Sequence, residues 1–226
     1  MATILFIRHA QASAHLEDYD QLSDLGFKQC QFLQHYLSKH SVDRIYVGPR
    51  KRHLQTYEQV AQPDWPSPIL TPLLDEFPAE EMVKHGLDTL LSHAPESKTL
   101  VDALQSQTGT AGNAYPIVLH KLTQLWTQNK LDENNIESHK HYQSRLAEMI
   151  QQLNQPQTGI QLVFTSAGTI SSIMGQLVMA DPFLAIQCAW RLYNASVMTA
   201  MVCPNLPQIC TFNTIHFIPE QYRSKY

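Results

Sequence analysis

The sequence carries no excess of basic residues: 16 Lys and Arg stand against 20 Asp and Glu, a formal net charge of −4. It therefore lacks the electropositive footprint of a nucleic-acid binder, and no nucleic-acid partner is expected. Cysteine is sparse. Cys30, Cys188, Cys203 and Cys210 form no CxxC pair and no zinc-ligand spacing, which reads as a set of reduced thiols in a cytoplasmic protein. Long hydrophobic runs are missing too. The apolar stretch 177–190 is broken by Asp181-Pro182 and is too short to span a bilayer, so no membrane partner is expected. The apolar run near the start is short and ends at Arg8 without a small-residue cleavage site, unlike a signal peptide. There is no internal repeat and no low-complexity tract.

What is present suits a globular core. The 226 residues are 43% hydrophobic, enough for one large domain or one domain with an insertion. The stretch Ile4-Leu5-Phe6-Ile7-Arg8-His9-Ala10 opens the argument. Its apolar part reads as a buried strand. Arg8 and His9 make sense at the carboxyl end of that strand, where open α/β sheets leave a crevice for ligands. Arg grips phosphate oxygens bidentately, and neutral imidazole is a competent nucleophile. Taken alone, the dipeptide reads first as a capping or surface pair.

The rest of the chain adds context. Phe27, Cys30, Leu33 and Leu37 mark an amphipathic helix to about residue 39 by their i, i+3, i+4 spacing. A strand over 42–47 stops at Gly48-Pro49, and a second helix covers 50–61. A proline-punctuated connection, 62–72, follows. From 79 to about 137 helical patterns recur (80–93, 97–105, 115–129) with no convincing strand, which predicts a helical insertion over the sheet's carboxyl edge. A helix from about 137 to 153 leads back. The strand 160–165 runs into Ser166-Ala167-Gly168-Thr169 and a helix, and a strand, a small-residue turn and a helix amino terminus form a ready anion site. Strands over 196–203 and 208–213 complete the sheet. The expected fold is an α/β class, three-layer α/β/α sandwich with a mostly parallel central sheet and a helical insertion.

Five segments carry a resemblance. They are ILFIRHA; Leu22…Gly26…Gln29; Gly48-Pro49 with Arg52, Gln55 and Thr56; Leu74-Asp75-Glu76; and Asn213…His216. In this order they resemble the signatures of the histidine phosphatase superfamily, the phosphoglycerate-mutase-like group. Ala10 and Gly48 stand where that family usually has Gly and Ser. The resemblance implies that Arg8 and Arg52 clamp a phosphate, that His9 is the nucleophile and that Glu76 is the proton donor. Glu80 and Glu81 remain alternatives for the acid. Phosphoryl transfer needs these parts: charge neutralisation, an in-line nucleophile and an acid for the leaving oxygen.

The departure lies at Ser166, where the family has a second His that stabilises the transferring phosphoryl group. By sequence position no other histidine is an obvious substitute. His15 follows the signature, His53 directly follows Arg52, and His216 belongs to the carboxyl-terminal element. His139 and His141 are two apart and point to different sides of a helix. Losing one such donor typically costs on the order of 10²–10³ in rate. A Ser166→His substitution is accordingly expected to raise activity. Ser166 and the Ala167 backbone are still expected to bind phosphate. The implied function is a phosphomonoester phosphatase working through a phosphohistidine on His9, acting on a small phosphorylated substrate, with no metal and no cofactor. The alternative is a catalytically impaired pseudophosphatase that binds a phosphorylated ligand or partner. A phosphoglycerate-type mutase fits less well, because no Arg lies between Arg52 and Arg145. Oligomeric state is not legible.

Overall fold

The computed structural model describes residues 2–13, 20–106, 111–131, 134–155 and 159–225, so His15 lies outside the described residues. The chain divides into two compact units, Met1–Glu76 with Leu146–Tyr226, and Phe77–Arg145.

The first unit is built on a six-stranded sheet: β1 (Ala2–Arg8), β2 (Val42–Val47), β3 (Ile69–Leu70), β4 (Gly159–Thr165), β5 (Val197–Met201) and β6 (Gln208–Thr214). The strand order is β3-β2-β4-β1-β5-β6. Pairings from β3 to β1 are parallel, and those of β1 with β5 and of β5 with β6 are antiparallel. Ile4, Leu5, Phe6 and Ile7 of β1 are all buried, as a central strand covered on both faces requires. Alternation along the strand sends Leu5 and Ile7 to one face, where they meet Cys30, Leu33 and Leu37 of α1 (Asp24–Leu37) and Val60 of α2 (Lys51–Val60). The opposite face receives the later part of α7 (His139–Leu153) and α8 (Ala167–Leu177), with Gln161 Nε2 of β4 donating to Leu153 O at 2.8 Å. Helices on both faces make the expected three layers.

The second unit is helical: α3 (Ala79–His85), α4 (Leu87–His93), α5 (Lys98–Gln105), α6 (Ala111–Thr127) and the first part of α7. Trp126 anchors its core. The indole Nε1 donates to Glu137 O at 2.7 Å, and the ring packs on Tyr142 at 5.2 Å. Arg145 grips the Glu137 carboxylate with Nε and Nη2, at 2.8 and 3.0 Å.

Four details differ from the sequence reading. The expected helix over 80–93 is two helices meeting at Gly86, where a Cβ would lie 2.6 Å from Met82 O and 2.9 Å from Leu122 Cδ2. Helix α6 begins at Ala111 rather than 115. The connection 62–72 contains the two-residue strand β3, a pairing too short to show a period. A further helix, α9 (Pro182–Gln187), starts where Asp181 accepts from Leu184 N–H at 3.0 Å with Pro182 in its first turn; the Asp-Pro pair that interrupts an apolar run is a helix start. All four cysteines are unpaired thiols. Among the described residues no helix is long and apolar enough to cross a membrane.

Candidate active site

Register places the first residues of the site. In the parallel β1–β4 pair Arg8 faces Thr165, and His9 N–H continues the ladder to Thr165 O at 2.9 Å. His9 and Ser166 therefore leave the sheet side by side at the carboxyl ends of their strands. Both are buried, as are Arg8 and Arg52.

The imidazole of His9 is held in one tautomer. Its Nδ1 lies 2.7 Å from Ala10 O. A carbonyl oxygen only accepts, so Nδ1 carries the proton and Nε2 keeps its lone pair. Burial, and then the positive charges of Arg52 and Arg8 and the proximity of His53, hold its pKa well below the ordinary imidazole range. The Ala10 carbonyl works the other way. At neutral pH the ring is uncharged.

The motif residues around His9 hold its loop. Thr56 Oγ1 accepts from Ala10 N–H at 3.1 Å and donates to Arg52 O at 2.7 Å. Gln29 Oε1 accepts from Gln11 N–H at 2.9 Å. Gln55 Oε1 accepts from Leu22 N–H at 2.8 Å. Gly26 is required by close approach, because a Cβ there would run into Gln11 O. Each of these motif positions is thus a strut for the segment after His9.

Arg8 is oriented from the far end of the chain. Its Nη1 donates to Leu192 O at 2.5 Å and its Nη2 to Lys225 O at 2.9 Å. Asn213 fixes the neighbourhood of the Leu192 carbonyl: its side chain accepts from Tyr193 N–H at 2.9 Å and donates to Arg191 O at 3.1 Å. His216, from the same motif, packs edge-on against Tyr36 and Phe217. Gln29 Nε2 ties the carboxyl-terminal segment down through Tyr222 O and Ser224 Oγ, both at 2.9 Å.

Arg52 stands in the first turn of α2, its Nη1 2.8 Å from Asp20 Oδ1. Asp20 Oδ2 also accepts from Lys51 N–H at 2.8 Å. Glu76 follows a turn anchored to the end of β4 and the start of α8, where Thr165 Oγ1 donates to Leu74 O and Thr169 Oγ1 to Asp75 O, each at 2.7 Å. Its own N–H donates to Asp75 Oδ1 at 2.8 Å. Glu80 and Glu81 lie in the first turn of α3, in the other unit. Ser166 is the amino cap of α8 but makes no side-chain cap bond, and Ala167 is the helix's first residue. The first N–H groups of such a helix have no intrahelical acceptor.

The sequence reading missed His53. Its Nε2 lies 2.6 Å from Ser166 Oγ, and its ring centroid is 5.7 Å from that of His9. Burial first, then Arg52 and Arg50, depress its pKa well below the ordinary range, with the Gly48 backbone opposing. A signal for it was present in Gly48: a Cβ at that position would run into the His53 imidazole and lie 2.7 Å from Leu74 O.

Residues 4–112 match the family model described as Histidine phosphatase superfamily (branch 1). No curated protein matches the chain. Among solved structures, phosphoserine phosphatase from Entamoeba histolytica in complex with phosphoserine aligns with TM-score 0.66 at 14% identity, over 97% of this chain and 100% of that one. The alpha-ribazole phosphatase from Shigella flexneri aligns with TM-score 0.61 at 18% identity, over 94% and 96%. Phosphoglycerate mutase from Bacillus anthracis str. Sterne aligns with TM-score 0.63 at 12% identity, over 96% and 94%. These likenesses establish a shared fold.

Proposed function

We infer that this chain, which belongs to the histidine phosphatase superfamily, is a phosphatase that hydrolyses a small phosphate monoester through a phosphohistidine on His9. The observation that carries this reading is the His9 hydrogen bond to Ala10 O, which leaves Nε2 as an unprotonated nucleophile. In the first step Nε2 attacks phosphorus and the bond to the leaving oxygen breaks. Glu76 gives that oxygen its proton. In the second step water attacks the phosphohistidine, Glu76 takes a proton from it, and phosphate leaves with His9 neutral again. Arg8, Arg52 and the N–H groups at Ala167 neutralise the equatorial oxygens, which is where charge accumulates.

The reading includes a single histidine-phosphatase-like domain with a helical insertion at about 79–137. It also includes a cytoplasmic location, supported by the four free thiols. A mutase would need a second anion grip, and Arg145 is already held by Glu137. A pseudophosphatase is favoured by one feature only, Ser166 in place of the family's second His.

Turnover of p-nitrophenyl phosphate by the parent protein, lost to background in His9→Ala, tests the proposal. Turnover that survives His9→Ala contradicts it. Activity is expected to persist in EDTA, since two Arg and a helix terminus supply the positive charge; loss in EDTA with recovery on adding magnesium would contradict that expectation.

A further inference from the structure

We propose that His53 is a positioning residue of the reaction: it holds Ser166, and with it the amino end of α8, while its ring backs the imidazole of His9. The nucleophile and the helix N–H groups are thereby aimed at one phosphoryl group. This rests on the phosphatase reading above.

Three positions make the case together. His53 comes from α2, reaches the end of β4, and meets Ser166 Oγ at 2.6 Å. That hydroxyl does not cap its own helix, so its bond joins two helices instead of satisfying one. Gly48 supplies the space, since any side chain there would occupy the volume of the imidazole. His53 and Ser166 are fully buried, so neither is a surface polar group that water could satisfy. A buried hydrogen bond that spans two helices fixes their relative placement, and misplacement of reacting groups by about 1 Å can cost on the order of 10² in rate.

The test compares the parent protein with Ser166→Ala, His53→Ala, His53→Gln and the Ser166→Ala/His53→Ala double variant, using p-nitrophenyl phosphate. The expected result is a fall in kcat of about tenfold in either alanine variant with KM within about threefold, because the effect is on alignment. The double variant falls no further than the worse single variant, as members of one unit do. His53→Gln, which can still donate to Ser166 Oγ, recovers most of the loss. Folded His53→Ala protein with parental kcat overturns the proposal, and so does a multiplicative loss in the double variant. Failure of the phosphatase reading is distinguished by His9→Ala, which then leaves activity unchanged. If the parent does not turn over, the rate at which p-nitrophenyl phosphate phosphorylates His9 decides: a rate lowered about tenfold by His53→Ala and restored by His53→Gln supports the positioning role, and an unchanged rate, or no phosphorylation of the parent, overturns it.

Discussion

The carboxylate of Asp20 holds the guanidinium of Arg52 at 2.8 Å while also accepting from the N–H of Lys51. A phosphoryl group that engages Arg52 must share it with this carboxylate or displace it. Asp20→Asn keeps an oxygen for the Lys51 N–H and removes the competing charge. Inorganic phosphate should then bind about fivefold more tightly, the scale of a partly exposed ion pair worth roughly 1 kcal/mol. Calorimetry would check this. Weaker binding would instead show that Asp20 orients Arg52.

Two buried neutral histidines give stability a defined pH dependence. His9 and His53 both have depressed folded pKa values, each from burial first. Below the ordinary imidazole pKa of about 6.5 the unfolded chain takes up protons that the native state refuses. Their contribution is therefore complete above that pKa and is lost as pH falls from it toward the folded values. The slope is at most about 1.4 kcal/mol per pH unit for each histidine. Urea midpoints should drop steadily from pH 7.5 to 5.5, and His53→Gln should remove about half of that slope. A flat profile in the parent would contradict the burial of neutral imidazoles.

The geometry at Ser166 reverses an expectation from sequence. A histidine there looked like the restoration of a missing donor. His53 Nε2 already stands 2.6 Å from Ser166 Oγ, so a second imidazole would overpack the pocket. Overpacking of this kind costs typically 1–3 kcal/mol. Ser166→His alone should lower the thermal midpoint and fail to raise kcat, whereas Ser166→His in a His53→Ala background should be better tolerated. A rise in kcat with His53 in place would contradict this.

The legible part of the molecule is the part written locally. The apolar runs of β1 and β4, the alternation of β2 and the period-3.6 pattern of α1 put those elements close to where they occur, and the strand-to-turn step at Thr165-Ser166 announced the amino end of α8. Cross-chain links were not legible. Arg8 is oriented by Leu192 O and Lys225 O, carbonyls with no side-chain signature. His53 reaches Ser166 across 113 residues of sequence, and the match among Gly48, His53 and Ser166 becomes apparent only when α2 and β4 are adjacent. Helix breaks such as Gly86 depend on a neighbour's proximity, here Leu122, which periodicity does not encode.

The account turns on His9 becoming phosphorylated. Rapid quenching of the protein with p-nitrophenyl phosphate, followed by mass spectrometry under alkaline conditions, measures this directly. The account predicts an acid-labile, base-stable phosphate on His9, absent from His9→Ala and accumulating further in Glu76→Gln with an activated aryl phosphate whose leaving group needs little protonation. Turnover without any phosphoprotein, or a phosphate found on another residue, would contradict it.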